Sequence, residues 1–128
     1  MATRQEIESL LETAYAARKK GDVKELLPLF TETGRFKAVG AEAARGHAEQ
    51  GPALEGLIKA FELLDYKIHC MVIEGTKAAV HWRGTFRSSA TGKVAETDLL
   101  DLIEVKDGRI ASFDNFFDTA LAAKLMQP

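Results

Sequence analysis

The sequence predicts one α+β domain, residues 1–128, with three N-terminal helices packed on a curved antiparallel sheet. Three observations carry this. Up to about Phe61 the apolar residues recur at helical spacing. From Asp65 onward the apolar period changes to two. Two short turn segments, Glu74-Gly75-Thr76-Lys77 and Ala90-Thr91-Gly92-Lys93, then divide the second half into consecutive strands.

The first helix opens at Thr3, an N-cap residue with Glu6 three positions on to complete a capping box. Ile7, Leu10, Leu11, Ala14 and Tyr15 follow at helical spacing. Arg18-Lys19-Lys20 place positive charge at the C-terminal end, and Gly21 stops the helix. Asp22 caps a second, short helix carrying Leu26, Leu27, Leu29 and Phe30, with Pro28 marking its irregular end or a later start. A short strand spans Arg35 to Val39, and the small, polar residues from Ala41 to Gly51 read as a loop. Pro52 opens the third helix, with Leu54, Leu57, Ile58 and Phe61 on one stripe. Strands are expected at about 65–74, 77–88, 94–106 and 109–117, and a short apolar tail runs from Thr119 to Met126.

The chain has 128 residues, 46% of them hydrophobic and 28% charged, enough for one core without cross-links. A formal net charge of −2 argues against a nucleic-acid or anionic-membrane surface as its main partner. The one cysteine, Cys70, excludes an internal disulfide and reads as a small buried hydrophobe, which fits a reducing cytoplasm. The polar start Met1 to Glu6 leads straight into a helix, so neither a signal peptide nor a membrane span is expected. His47, His69 and His81 lack ligand spacing, and no glycine-rich phosphate loop or nucleophile elbow occurs. Neither a metal nor another cofactor is therefore expected.

The last hairpin poses a question of register. If Asp107-Gly108 form a two-residue turn, Asp101 pairs with Asp114, and two like charges sit side by side. If Lys106-Asp107-Gly108 form a three-residue loop, Val105 faces Arg109 and Asp101 faces Phe113. The second register is favoured. It puts Asp101, Ile103, Phe113, Asn115 and Phe117 on one face and Leu100, Leu102, Asp114 and Phe116 on the other.

Several segments, in this order and spacing, carry a resemblance over nearly the whole chain. They are Tyr15-Ala16-Ala17-Arg18-Lys19-Lys20-Gly21-Asp22-Val23, Leu29-Phe30-Thr31-Glu32, Thr91-Gly92-Lys93, Val105 to Ile110, and Phe116 to Ala120. The chain resembles the nuclear-transport-factor-2-like superfamily, and within it the SnoaL-like, ketosteroid-isomerase-related branch. The resemblance implies a cystatin-like cone whose sheet and first helices enclose an apolar pocket, and a homodimer through the outer sheet face. It names no activity, because this fold hosts isomerases, cyclases, epoxide hydrolases, dehydratases and non-catalytic binders.

The resemblance also assigns candidate residues. Asp101 matches the strand position where ketosteroid isomerases keep a protonated aspartate, and burial would raise its pKa. A salt bridge to Arg83 is the structural alternative. Asn115 matches the catalytic aspartate of limonene-epoxide hydrolases, but an amide is no general base. Arg83 matches the arginine of that triad, while its third position falls on Thr85. The base of ketosteroid isomerases falls near Ala38, with no carboxylate, and their tyrosine falls at Ala14, one residue from Tyr15. Asp114 or Asp118 approximates the acid of the polyketide cyclases, although Asp118 reads better as a helix cap.

Tyr15 either packs along its helix or turns its hydroxyl into the pocket. His81, in phase with Arg83 and Thr85, is either a base near neutral pH or a half-exposed strand histidine. Trp82 and Phe86 are expected on the opposite face, at the dimer interface. The expected chemistry is cofactor-free isomerisation, cyclisation or hydro-lyase work on a small apolar or carbonyl-containing molecule. Asp101 would be the acid, His81 the base, and Arg83 and Asn115 the orienting groups. Tyr15, Thr85, Ile103, Phe113 and Phe117 would line the pocket. The competing class is a non-catalytic binding or scaffold module.

Overall fold

A computed structural model describes residues 2–128. Helix α1 (Arg4–Lys20) begins with the expected capping box: Glu6 N–H donates to Thr3 Oγ1 at 3.1 Å, and Thr3 N–H to Glu6 Oε1 at 3.4 Å. It ends at Gly21, whose φ of 74° lies in the left-handed region open to glycine. Ile7, Leu11, Ala14 and Tyr15 form its buried stripe.

Asp22 caps α2 (Val23–Leu26) by accepting from Lys24 N–H and Glu25 N–H. A 3₁₀ turn over Leu27–Leu29, with Pro28 inside it, then ends the helical run. Phe30 does not close that helix. It opens β1 (Phe30–Ala38), which pairs with the two-residue β2 (Ala44–Arg45).

The third helix starts earlier than the sequence suggests. α3 spans Gly46–Ala60, so part of the expected loop is helical and Pro52 lies inside the helix. The early start has a local cause: the Glu49 carboxylate accepts from Arg45 N–H at 3.0 Å and caps the first turn. The buried Leu54 then anchors the helix in the core, offsetting the backbone bond lost at Pro52.

The long strands are β3 (Phe61–Glu74), β4 (Lys77–Ser88), β5 (Val94–Lys106) and β6 (Arg109–Phe116). A fourth helix, α4 (Thr119–Met126), is capped by Asp118, which accepts from Leu121 N–H at 3.0 Å. Two helices thus precede the first strand, the third follows β2, and the fourth ends the chain.

The six strands form one sheet in the order β2-β1-β6-β5-β4-β3. It is mixed, where a wholly antiparallel sheet was expected, because β1 runs parallel to β6. The reason is topological: α3 and the β3–β5 meander separate β1 from β6, and a long crossover permits parallel pairing.

Extra residues curve the sheet. Leu64 and His69 have no opposite number on β4, nor Ala111 on β5. The inner face packs on α1 and α3 around Leu11, Leu54, Leu63, Val80, Ile103 and Ile110. Cys70 is exposed rather than buried, since the bulge at His69 leaves it opposite His81 on the outer face.

Candidate functional site

The final hairpin positions the site by a route that differs from the expected one. Asp107 and Gly108, at φ 51° and 76°, form a two-residue turn, so Lys106 faces Arg109 and Val105 faces Ile110. The bulge at Ala111 then shifts the pairing by one residue. Asp101 consequently pairs with Asn115, neither with Asp114 nor with Phe113. The bulge restores the parity that a longer loop would have supplied. Asp101, Ile103, Phe113 and Asn115 therefore do share the inner face.

Asp101 is fully buried. The hydroxyl of Tyr15 donates to Asp101 Oδ2, as does Trp82 Nε1 at 2.8 Å, while Asn115 Nδ2 donates to Oδ1 at 2.6 Å. All three are donors to an acceptor, an arrangement that matches an ionised carboxylate. Burial nevertheless pushes the carboxyl up to about 6; the bonds from Tyr15, Asn115 and Trp82 act in the opposite direction. The result is a side chain that changes charge close to neutral pH inside an apolar wall. Burial, then the Asp101 charge, drives the Tyr15 phenol well above its ordinary range, so Tyr15 remains a donor.

A cavity opens beside this cluster. Its volume, counted as room for the centres of water molecules, is about 100 Å³. Phe36, Leu54, Leu99, Phe113, Phe117 and Leu125 supply much of its apolar wall, and Asp101 and Asn115 form a polar pole. The Tyr15 and Trp82 rings meet edge-on at 5.2 Å, fixing both donors. Helix α4 covers part of the cavity through Leu121 and Ala122, besides Leu125. Asp118 reaches the wall too, but its carboxylate is engaged as the α4 cap.

Of the residues singled out from the sequence, Asp101, Asn115, Tyr15, Phe113 and Phe117 come together here. Ile103 does not line the cavity; it is buried on the same face in the core, opposite Ala78. His81, Arg83 and Thr85 lie on the other face of the sheet. The reason is the β4–β5 register: Asp101 pairs with Val80, so the even-numbered residues of β4 point inward. Arg83 instead holds Glu96 and, at 3.1 Å, Asp98, so the suggested Arg83–Asp101 salt bridge does not form. Its hydrogen bond to Glu96 raises the arginine's pKa and lowers that of Glu96. His81 and His69 flank Asp98 at 3.8 and 4.0 Å. No group of three or more His, Cys, Asp or Glu side chains suited to a metal ion occurs among the described residues.

Three residues of the cavity differ from the sequence-based expectation. Trp82 and Phe86, expected outside, both line it. The signal was present, since apolar and small residues occupy positions 78, 80, 82, 84 and 86 while polar ones dominate the odd positions. Gly84 belongs to that set: a Cβ there would lie 2.7 Å from the Phe86 ring and 3.0 Å from Trp82. From the sequence alone, Arg18 counts only as positive charge at a helix end. It lies three residues beyond Tyr15 on the same side of α1, and its side chain turns into the cavity wall.

The SnoaL-like domain model matches residues 11–113. A search among curated proteins returns no match. Solved structures show the same fold. An NTF2-like protein of unknown function from Burkholderia pseudomallei K96243 superposes with a TM-score of 0.84 at 16% identity, covering 100% of both chains. An NTF2-like protein from Burkholderia xenovorans LB400 gives 0.80 at 23% identity, covering 98% of each chain. An LEH-like epoxide hydrolase from M. tuberculosis gives 0.77 at 18% identity, covering 95% of this chain and 90% of that one.

Proposed function

We propose that this chain, which belongs to the SnoaL-like domain family, binds a small, mainly apolar, carbonyl-containing molecule and acts on it by cofactor-free acid–base chemistry. The observation that carries this reading is the fully buried Asp101 at the polar pole of an otherwise apolar cavity. In its protonated form Asp101 gives a ligand carbonyl a hydrogen bond or a proton; in its ionised form it takes one back. Asn115 orients the carbonyl or a water. Tyr15 and Trp82 hold the carboxylate in place. Isomerisation, cyclisation and loss of water are the reaction types such a group serves.

His81 and Arg83 have no part in this chemistry, because they lie on the outer face. One observation favours the second reading, a binding module without turnover. The three donors on Asp101 all come from the protein itself, leaving the carboxylate satisfied without a ligand.

The outer sheet face carries Val72, Leu100, Leu102 and Phe116, each exposed by 45% or more. That apolar face supports a homodimer as part of the proposal. No described helix is long and apolar enough to cross a membrane. The free thiol of Cys70 fits a cytoplasmic location.

Native mass spectrometry of the purified protein tests the binding reading. A mass increment from a co-purified organic molecule, lost when Trp82 or Phe113 is replaced by a charged residue, is the expected result. A bare chain that takes up no hydrophobic carbonyl compound from a panel would overturn it.

A further inference from the structure

The cavity holds a second polar group that the acid–base reading does not use. Arg18 leaves α1 one turn beyond Tyr15, and its guanidinium lies against the wall formed by Phe61 and Phe86. Nη2 donates to the Phe61 carbonyl at 2.7 Å, and the guanidinium carbon lies 5.9 Å from the Phe86 ring centre. No other protein hydrogen bond reaches the group among the described residues. Its Nε and Nη1 are not sealed in the interior either, since the sealed, unpartnered side-chain atoms belong to Arg35, Gln50 and Ser88.

The contrast with the other arginines is informative. Arg4, Arg35, Arg83 and Arg87 each hold a carboxylate. Arg45 and Arg109 are exposed to water. Among the described residues no carboxylate lies within 4.0 Å of Arg18, although its side chain is half-buried in the cavity wall. Burial lowers its pKa to about 10, so it remains a cation at neutral pH. Asp118 shares the cavity wall but caps α4. A half-buried cation that bonds only one backbone carbonyl keeps donors free for an anion entering the cavity.

We infer that Arg18 is the recognition group for an anionic substituent, and that the ligand is an apolar organic acid whose carboxylate meets Arg18 while its body fills the cavity towards Asp101. The inference rests on the reading of the cavity as a ligand site and narrows the ligand class. A carboxylate suits the planar fork of guanidinium donors, and the Nη2 bond to the Phe61 carbonyl anchors one end of that fork. The cavity then has two poles: a fixed positive charge near its Phe61–Phe86 wall, and a titrating carboxyl at Asp101.

Trp82 is the chain's single tryptophan and lines the cavity, so its fluorescence reports occupancy. The test titrates 4-cyclohexylbutanoate and its primary amide, two probes of equal shape, into the wild type, Arg18→Gln and Arg18→Lys at pH 7. The wild type is expected to bind the acid about tenfold or more tightly than the amide. In Arg18→Gln that preference should fall to near one, with the acid losing far more affinity than the amide. Arg18→Lys should keep part of it. If the wild type binds both probes equally, or prefers the amide, the inference is overturned while the cavity remains a binding site. A preference that survives in Arg18→Gln overturns it as well. If neither probe binds the wild type, the reading of the cavity itself fails, and the inference with it. Should Arg18→Gln not fold, the wild-type ratio and Arg18→Lys decide the matter.

Discussion

Trp82 Nε1 donates to Asp101 Oδ2 at 2.8 Å, the same oxygen that receives the Tyr15 hydroxyl. The indole is therefore in direct contact with the group proposed to titrate. When Asp101 ionises, a full negative charge appears beside the indole N–H, and the emission of the single tryptophan must respond. The fluorescence of the unliganded protein is expected to change with a midpoint near pH 6. The transition should be missing in Asp101→Asn. A flat profile from pH 4.5 to 8 would show that Asp101 does not titrate there, and its role as an acid would fall.

The same burial links Asp101 to stability. Its folded pKa, about 6, lies above the ordinary value of 3.8, so the folded state holds the proton more tightly than the unfolded chain. Stability from this group is full below about pH 4 and is lost as pH rises to about 6. The upward shift corresponds to an order of 3 kcal/mol. Asp101→Asn should accordingly be less stable relative to wild type at pH 4 than at pH 7.5, measured by denaturant unfolding at both values. A difference between the two proteins that does not change with pH would contradict the shift.

Removing one donor should act in a pH-dependent way. Tyr15→Phe keeps the ring and its edge-on contact with Trp82 but deletes the hydroxyl bond to Asp101. A bond to an ionised carboxylate is worth about 1.5–3 kcal/mol, one to a neutral group about 1 kcal/mol. The variant should therefore lose more stability at pH 7.5 than at pH 4.5. The midpoint of the Trp82 transition should rise, because the ionised form has lost a partner. A midpoint that falls or stays fixed would mean that Tyr15 does not stabilise the carboxylate.

Much of the fold was legible because its signals are local. Thr3 with Glu6, Gly21 and Asp22 each act within a few residues, and the strand alternation after Asp65 is long and regular. What was not legible depends on distant partners. The parallel pairing of β1 with β6 joins segments that are about 80 residues apart in sequence. The start of α3 depends on Glu49 reaching back to the Arg45 backbone, while Pro52 looked like a first-turn residue. The site itself was half legible. The sequence groups Asp101 and Asn115 on one face through a longer loop, whereas a bulge at Ala111 sets the parity. The resemblance puts Arg83 and Thr85, and His81 in phase with them, on the pocket side, against an alternation that puts Trp82 there instead. On a strand, the burial pattern outranks the chemical appeal of individual side chains.

That face assignment has its own test, and it bears on assembly. Arg83 and His81 lie among exposed charges on the outer sheet surface, separated from the cavity by the sheet. Arg83→Ala and His81→Ala should leave the Trp82 midpoint and probe binding as in wild type. On the same face Leu102, 51% exposed, lies beside Leu100 and Phe116, and an aspartate there would introduce like charges at any two-fold contact. Leu102→Asp is expected to convert a dimer to a monomer in sedimentation analysis while preserving the Trp82 transition, because the outer face and the cavity use opposite sides of the strand. A wild-type chain that sediments as a monomer would remove the dimer from the proposal. A Leu102→Asp variant that stays dimeric would move the contact to another surface. Loss of the Trp82 transition in Arg83→Ala would return Arg83 to the acid–base site and overturn the separation of the two faces.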